Sequence, residues 1–222
     1  MFVELHVEQG RDLVDRDRAV AVASASWAHG RWRFDFTGEP NHAGATRMQD
    51  RHDPMLTYAM TALAANKQAR LTQARRHVRP GRRITPTSPM QCPNACRHGW
   101  MLAVPGRRAG RHAGQMRSPG RRSERADRDG TRVEVTAESV SPTVDFERPL
   151  AQRLSRLLDD APVIPTGAGH DAGVLQLAGI PSAMLFVRNP TGVSHSPAEH
   201  AETADCLAGV EALAKVLEEL AT

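Results

Sequence analysis

Residues 163–187 read VIPTGAGHDAGVLQLAGIPSAMLFV, and this stretch decides the fold class. Val163 to Pro165 lead into a turn with three glycines in seven residues, Gly167 to Gly173. Asp171 to Leu177 has an acidic start and is closed by Gly179, which predicts a short helix. Ser182 to Val187 is an apolar run, which predicts a strand. A glycine turn, a short helix and an apolar strand in succession are the grammar of an α/β chain. Working outward, Phe2 to Val7 predicts a buried strand, and Trp32, Phe34 and Phe36 alternate with Arg33 and Asp35 as a half-buried one. Helices are predicted over Asp53–Arg70, Pro149–Leu158 and Thr203–Leu220, and a further strand over the alternating TRVEVTAES from Thr131.

The 222 residues suffice for one large domain or two small ones, with 40% hydrophobic residues to build a core of Leu, Val, Ala and Met. No apolar run approaches the roughly 18 residues a membrane span needs, and MFVELHVEQG has no basic start or long apolar stretch of the kind that marks a signal peptide. The three cysteines, Cys92, Cys96 and Cys206, make no even disulfide framework. A cytoplasmic protein without a membrane partner is the expectation. The net charge of +4 is local in origin. Of 27 Arg, 15 lie between Arg70 and Arg128, and no Asp or Glu occurs between Asp53 and Glu124.

Four motifs each carry a histidine beside small or acidic residues: VELHVEQG (Val3–Gly10), FTGEPNHAGATRM (Phe36–Met48), TGAGHDAG (Thr166–Gly173) and GVSHSPAEH (Gly192–His200). Neutral imidazole is a common zinc ligand, and catalytic zinc sites combine His with carboxylates and keep one position open. His6 at a strand end and His195 in a Gly/Ser loop sit where such ligands would. Singly, each has a plainer reading: a structural or solvated histidine at His6, His42 and His195, and a turn with Asp171 as the first acid of a helix at His170. The two glycines around Ala168 let backbone approach a ligand closely.

Taken together and in this order, the motifs resemble the amidase/hydantoinase/carbamoylase branch of the aminoacylase-like dinuclear zinc peptidase superfamily, which includes N-carbamoyl-L-amino-acid hydrolases, allantoate amidohydrolases and β-ureidopropionases. The resemblance covers roughly residues 2–70 and 130–222. It implies His6 as a ligand of one zinc and His195 as a ligand of the other, with Mn, Co or Ni as possible substitutes. It also implies Gln9 and His170 as substrate contacts, Glu199 as support for the loop of His195, and His42 as the catalytic residue that reaches a neighbouring subunit and stabilises the tetrahedral oxyanion. The implied reaction is metal-dependent hydrolysis of a linear amide or ureido C–N bond in a small acid, the carbamoyl product falling to carbon dioxide and ammonia. The implied architecture is the C-terminal part of a dinuclear-zinc catalytic domain (residues 1–28 and 141–222) with an inserted ferredoxin-like α+β dimerisation domain (residues 29–140), in a homodimer. Relative to this family, Arg47 replaces a Pro and His52 an Arg. The family's N-terminal half, which carries the remaining metal ligands and the general base, has no counterpart here, so little hydrolysis is expected of the chain alone, and a strand such as Val3–His6 is expected at an open sheet edge.

Residues 71–126 depart from the pattern altogether. They are Arg-, Pro- and Gly-rich, follow neither period 2 nor period 3.6, and lack the family's Asp-x-Arg strand for the substrate carboxylate. We read them as a frameshifted segment: one frame over, the codons of Cys96–Ala103 permit Pro-Ser-Arg-Val-Asp-Ala-Arg. The other reading is a disordered basic linker. Two further functions remain open at this level: an aminoacylase or dipeptidase of the same superfamily, and a non-enzymatic remnant whose Arg run adheres to nucleic acid without specificity, for which no fold motif or interleaved aromatic speaks.

Overall fold

The computed structural model describes residues 1–71, 81–85, 95–104 and 126–221, with side chains for residues 1–67 and 126–221. The chain divides into two units, Met1–Ala28 with Thr143–Thr222, and His29–Pro142.

In the first unit the strands are β1 (Phe2–Val7), β2 (Val20–Ser26), β7 (Val144–Asp145), β8 (Val163–Thr166) and β9 (Ser182–Val187). Their order is β1-β9-β2-β7, with β8 also paired to β2. β1 and β9 run parallel in the register Phe2↔Ser182 to Val7↔Val187, which places His6 opposite Phe186. β1 has one described neighbour and is therefore a sheet edge, as anticipated. Helices lie on both faces: α1 (Asp12–Asp15), α3 (Arg148–Leu157), α4 (Asp171–Leu177) and α5 (Thr203–Ala221).

The alternation of a strand explains the two cores. Ala183 and Leu185 of β9 join Val22, Leu150, Leu154, Ala212 and Val216 on one face. Met184 and Phe186 join Leu13, Ala21, Ala23, Ile164 and Ala172 on the other. The apolar run SAMLFV is thus a central strand covered twice. The sequence reading passed over β2, although it sits at the middle of the sheet. VAVASAS is short of the large β-branched and aromatic residues that announce a strand, and only its burial between two helical layers makes small residues fit there.

The second unit is a four-stranded sheet in the order β4-β5-β3-β6, built from β3 (Ala28–Thr37), β4 (Gly81–Thr85), β5 (Ala95–Val104) and β6 (Arg132–Ser141). β3 and β6 pair antiparallel from Thr37↔Arg132 to His29↔Ser141, with a register shift between Arg31 and Trp32. Trp32, Phe34 and Phe36 are buried against Met55, Tyr58, Ala62 and Ala65 of α2 (Pro54–Leu71). The 71–126 stretch, read as lacking strands, does contain the backbone strands β4 and β5, paired antiparallel. Ladder hydrogen bonds are made by backbone groups, so pairing does not require a side-chain alternation. The codon reading at Cys96–Ala103 falls on β5, and most of the rest of the stretch lies outside the described residues. Among the described residues no helix is long and apolar enough to cross a membrane.

Candidate active site

β1 carries the first motif, and its parallel partner β9 leads into the last. The two come together at the end of the pair: a Cβ on Gly192 (φ +65°) would fall 2.3 Å from Arg11 Cγ and 3.2 Å from the carbonyl oxygen of Gly10. Glycine is required there on both counts, conformation and space.

His6 stands near the C-terminal end of β1. Its Nδ1 lies 2.8 Å from the carbonyl oxygen of Val7, so Nδ1 carries the proton and donates it. Nε2 is left with a free lone pair, the state a metal ligand needs. His170 precedes α4 and is buried, its ring meeting that of His6 edge to face at a centroid distance of 4.6 Å. Burial, reinforced by the neighbouring His6 and opposed by Asp171, lowers the His170 pKa from 6.5 to about 4. It is therefore a neutral imidazole at ordinary pH. Its Nε2 is 3.4 Å from Thr166 Oγ1, and its Nδ1 is 3.7 Å from Glu4 Oε1. The other oxygen of Glu4 accepts the backbone N–H of Ala172 at 2.7 Å, tying β1 to the first turn of α4.

Glu4, His6 and His170 offer ligand atoms all within 4.8 Å of one another. One carboxylate and two imidazoles form a donor set that suits zinc. Each donor residue also has another polar atom occupied, Glu4 by Ala172, His6 by Val7 and His170 by Thr166, as outer contacts of metal ligands commonly are. The residues present therefore fit a divalent cation.

Gln9 lies in the turn just beyond β1, half-buried and not hydrogen-bonded to any described residue. Its neighbour Glu8 serves the backbone instead. The two Glu8 carboxylate oxygens accept the N–H groups of Asp12 at 2.8 Å and Leu13 at 2.9 Å, capping α1 from a position only 6% exposed. His195 lies in the exposed loop after β9, outside the three-donor group, with φ +58°, a conformation non-glycine residues rarely adopt. Glu199 Oε2 accepts the His195 N–H at 2.7 Å and so holds that loop. His42 belongs to the second unit, exposed in the loop after β3. The structure thus brings His6 and His170 into contact and sets the Gln9 turn against the His195 loop. Glu4 and Glu8 were missed by sequence reading because a carboxylate that accepts backbone N–H groups looks the same in sequence as one facing solvent.

The family model described as Peptidase family M20/M25/M40 matches residues 1–219. An N-carbamoyl-L-amino acid amidohydrolase of Geobacillus stearothermophilus is 32% identical over 238 residues, covering 99% of this chain and 54% of the relative. An allantoate amidohydrolase of Escherichia coli K12 is 27% identical over 231 residues, again 99% of this chain and 54% of the relative. Among solved structures, AtUAH in complex with (S)-hydroxyglycine superposes with a TM-score of 0.87 at 24% identity over 99% of this chain and 53% of that one. A hydantoinase/carbamoylase family amidase of Burkholderia multivorans gives 0.81 at 24% identity over 96% and 53%. The chain spans about half the length of the curated relatives it matches. Matched over nearly its whole length, the chain belongs to peptidase family M20/M25/M40.

Proposed function

We propose that this chain forms part of a metal-dependent amidohydrolase that cleaves linear amide or ureido C–N bonds of small acids, such as N-carbamoyl-L-amino acids or allantoate. The observation that carries the reading is His6, whose Nδ1–H is given to Val7 and whose Nε2 is free beside Glu4 and His170. The names of the relatives from Geobacillus stearothermophilus and Escherichia coli support the substrate class.

In this reading His6 and His195 hold zinc together with ligands from sequence that the longer relatives possess. Bound zinc supplies a Lewis acid that polarises the scissile carbonyl and acidifies water. Glu199 keeps the His195 loop in its strained conformation. Neutral His170 offers a hydrogen bond without bringing a positive charge next to the metal. Gln9 presents its free amide to the substrate. His42 stabilises the oxyanion from a partner subunit, the second unit being the dimerisation domain.

The test supplies the remaining half of the Geobacillus stearothermophilus relative in trans with zinc and measures ammonia release from N-carbamoyl amino acids and allantoate, and free amino acid release from N-acyl amino acids and dipeptides. Release from the ureido substrates that is lost in His6→Ala supports the proposal. Turnover confined to N-acyl amino acids or dipeptides moves the chain to an aminoacylase or dipeptidase. No turnover of any substrate by a folded, zinc-loaded assembly overturns it.

A further inference from the structure

The loop NHAGAT, Asn41–Thr46, folds back on its own histidine. The backbone N–H groups of Gly44 and Ala45 both point at His42 Nδ1, at 3.1 and 2.9 Å. The N–H of His42 goes to Asn41 Oδ1 at 2.9 Å, and that of Thr46 to the carbonyl of His42 at 3.1 Å. Across the loop, Arg51 donates through Nε and Nη2 to the carbonyl of Thr46, at 3.0 and 2.9 Å, and through Nη2 to the carbonyl of Ala43. The amides of the loop therefore face the imidazole, and two of its carbonyls face the guanidinium.

A ring nitrogen that accepts N–H groups cannot carry a proton itself. With Nδ1 committed as acceptor, a neutral His42 has its proton on Nε2, and protonating Nδ1 would require both amides to be given up. No described hydrogen bond uses Nε2, and the side chain is exposed. We propose that this loop, clamped by Arg51, is a tautomer-setting device: it presents His42 as a neutral Nε2–H donor to an anionic oxygen of a small acid, and Arg51 is its positioning residue. The imidazole then stabilises charge that develops on oxygen and does not shuttle protons. The anionic-oxygen partner rests on the hydrolase reading above; the tautomer and the role of Arg51 do not.

Arginine suits this position because its planar fork reaches two carbonyls at once, whereas a lysine ammonium would serve as a single point donor. A loop whose polar groups are already paired has little reorganisation to undergo when the donor is used.

The experiment is nitrogen-15 NMR on the full chain labelled at histidine, with the His42 resonances assigned by their loss in His42→Gln. We expect a pyridine-type Nδ1 and a pyrrole-type Nε2, with the Nε2–H tautomer in about tenfold or greater excess, since two net hydrogen bonds favour it. A protonated Nδ1, or comparable populations of both tautomers, overturns the proposal. In Arg51→Ala the excess should collapse toward the mixture of a free histidine while the circular dichroism spectrum and the His170 resonances stay in place. Arg51→Lys should restore little of it. An unchanged His42 spectrum in either variant removes Arg51 from the device. A failure of the hydrolase assay leaves these spectra untouched, so the two readings fall separately.

Discussion

The imidazole of His170 meets that of His6 edge to face, with centroids 4.6 Å apart, and burial presses the His170 ring well below the usual histidine range. Environment thus sets two neighbouring rings to different roles: one at a strand end with its lone pair free, the other sealed behind it and kept neutral.

That contrast sets a pH dependence for the metal-free chain. The folded-state pKa of His170, about 4, lies below its unfolded value of 6.5, so the unfolded chain takes up the proton first as pH falls. The stability from keeping this ring neutral is complete above pH 6.5, is lost between 6.5 and about 4, and changes no further below that. The loss should amount to about 3 kcal/mol. Urea denaturation of chelator-treated protein at pH 7, 5.5 and 4 checks it, and His170→Phe should flatten the slope in that window.

Zinc should stabilise the chain by binding the folded donors and not the unfolded ones. At about a hundredfold excess over the dissociation constant the gain is about 2.7 kcal/mol. The expected outcome is a rise in thermal midpoint on adding zinc, reversed by chelator and absent in His6→Ala. A midpoint indifferent to zinc in the wild-type chain would count against a metal role for His6.

Glu8 should behave as a structural acid. Glu8→Ala leaves the N–H groups of Asp12 and Leu13 without their acceptors, and about 1–3 kcal/mol of stability should be lost. Glu8→Gln keeps one carbonyl oxygen and should lose less. Chemical denaturation distinguishes the two.

Arg188 bonds two acids of very different exposure. It grips Asp205 with two hydrogen bonds of 2.9 and 2.8 Å and reaches Asp17 at 2.9 Å. The Asp205 side chain is 5% exposed and that of Asp17 is 97% exposed. Asp205→Ala strips a partly buried guanidinium of its partner and should cost about 3 kcal/mol. Asp17→Ala should cost under about 1 kcal/mol, the ordinary range of an exposed pair. Equal losses in the two variants would refute this account.

The α/β class and the family were legible because their signals are local. SAMLFV announces a strand by its apolarity, and the four histidine motifs keep their wording and order. β2 was not legible, since a strand with five alanines and serines in seven residues is specified by the helices that cover it more than by its own propensity. Nor were the roles within ELHVEQG: Glu4 and Glu8 differ in what their oxygens accept, which depends on where α4 and α1 begin in space.

Gly209 marks the same boundary. In sequence it is a weak point in the middle of the helix Thr203–Ala221. In the fold it is where that helix lies on the sheet, a Cβ there falling 2.4 Å from Val187 Cγ2 and 3.5 Å from Leu5 Cδ1. The amino-acid order by itself determined the periodicities, the turn glycines and the motif histidines, because each rests on neighbours a few residues apart. Tertiary structure alone decided that His170 is buried beside His6 and kept neutral, and that Glu4 accepts the N–H of Ala172. Those properties depend on hydrogen-bond partners and burial, and several of the partners come from residues far apart in the chain.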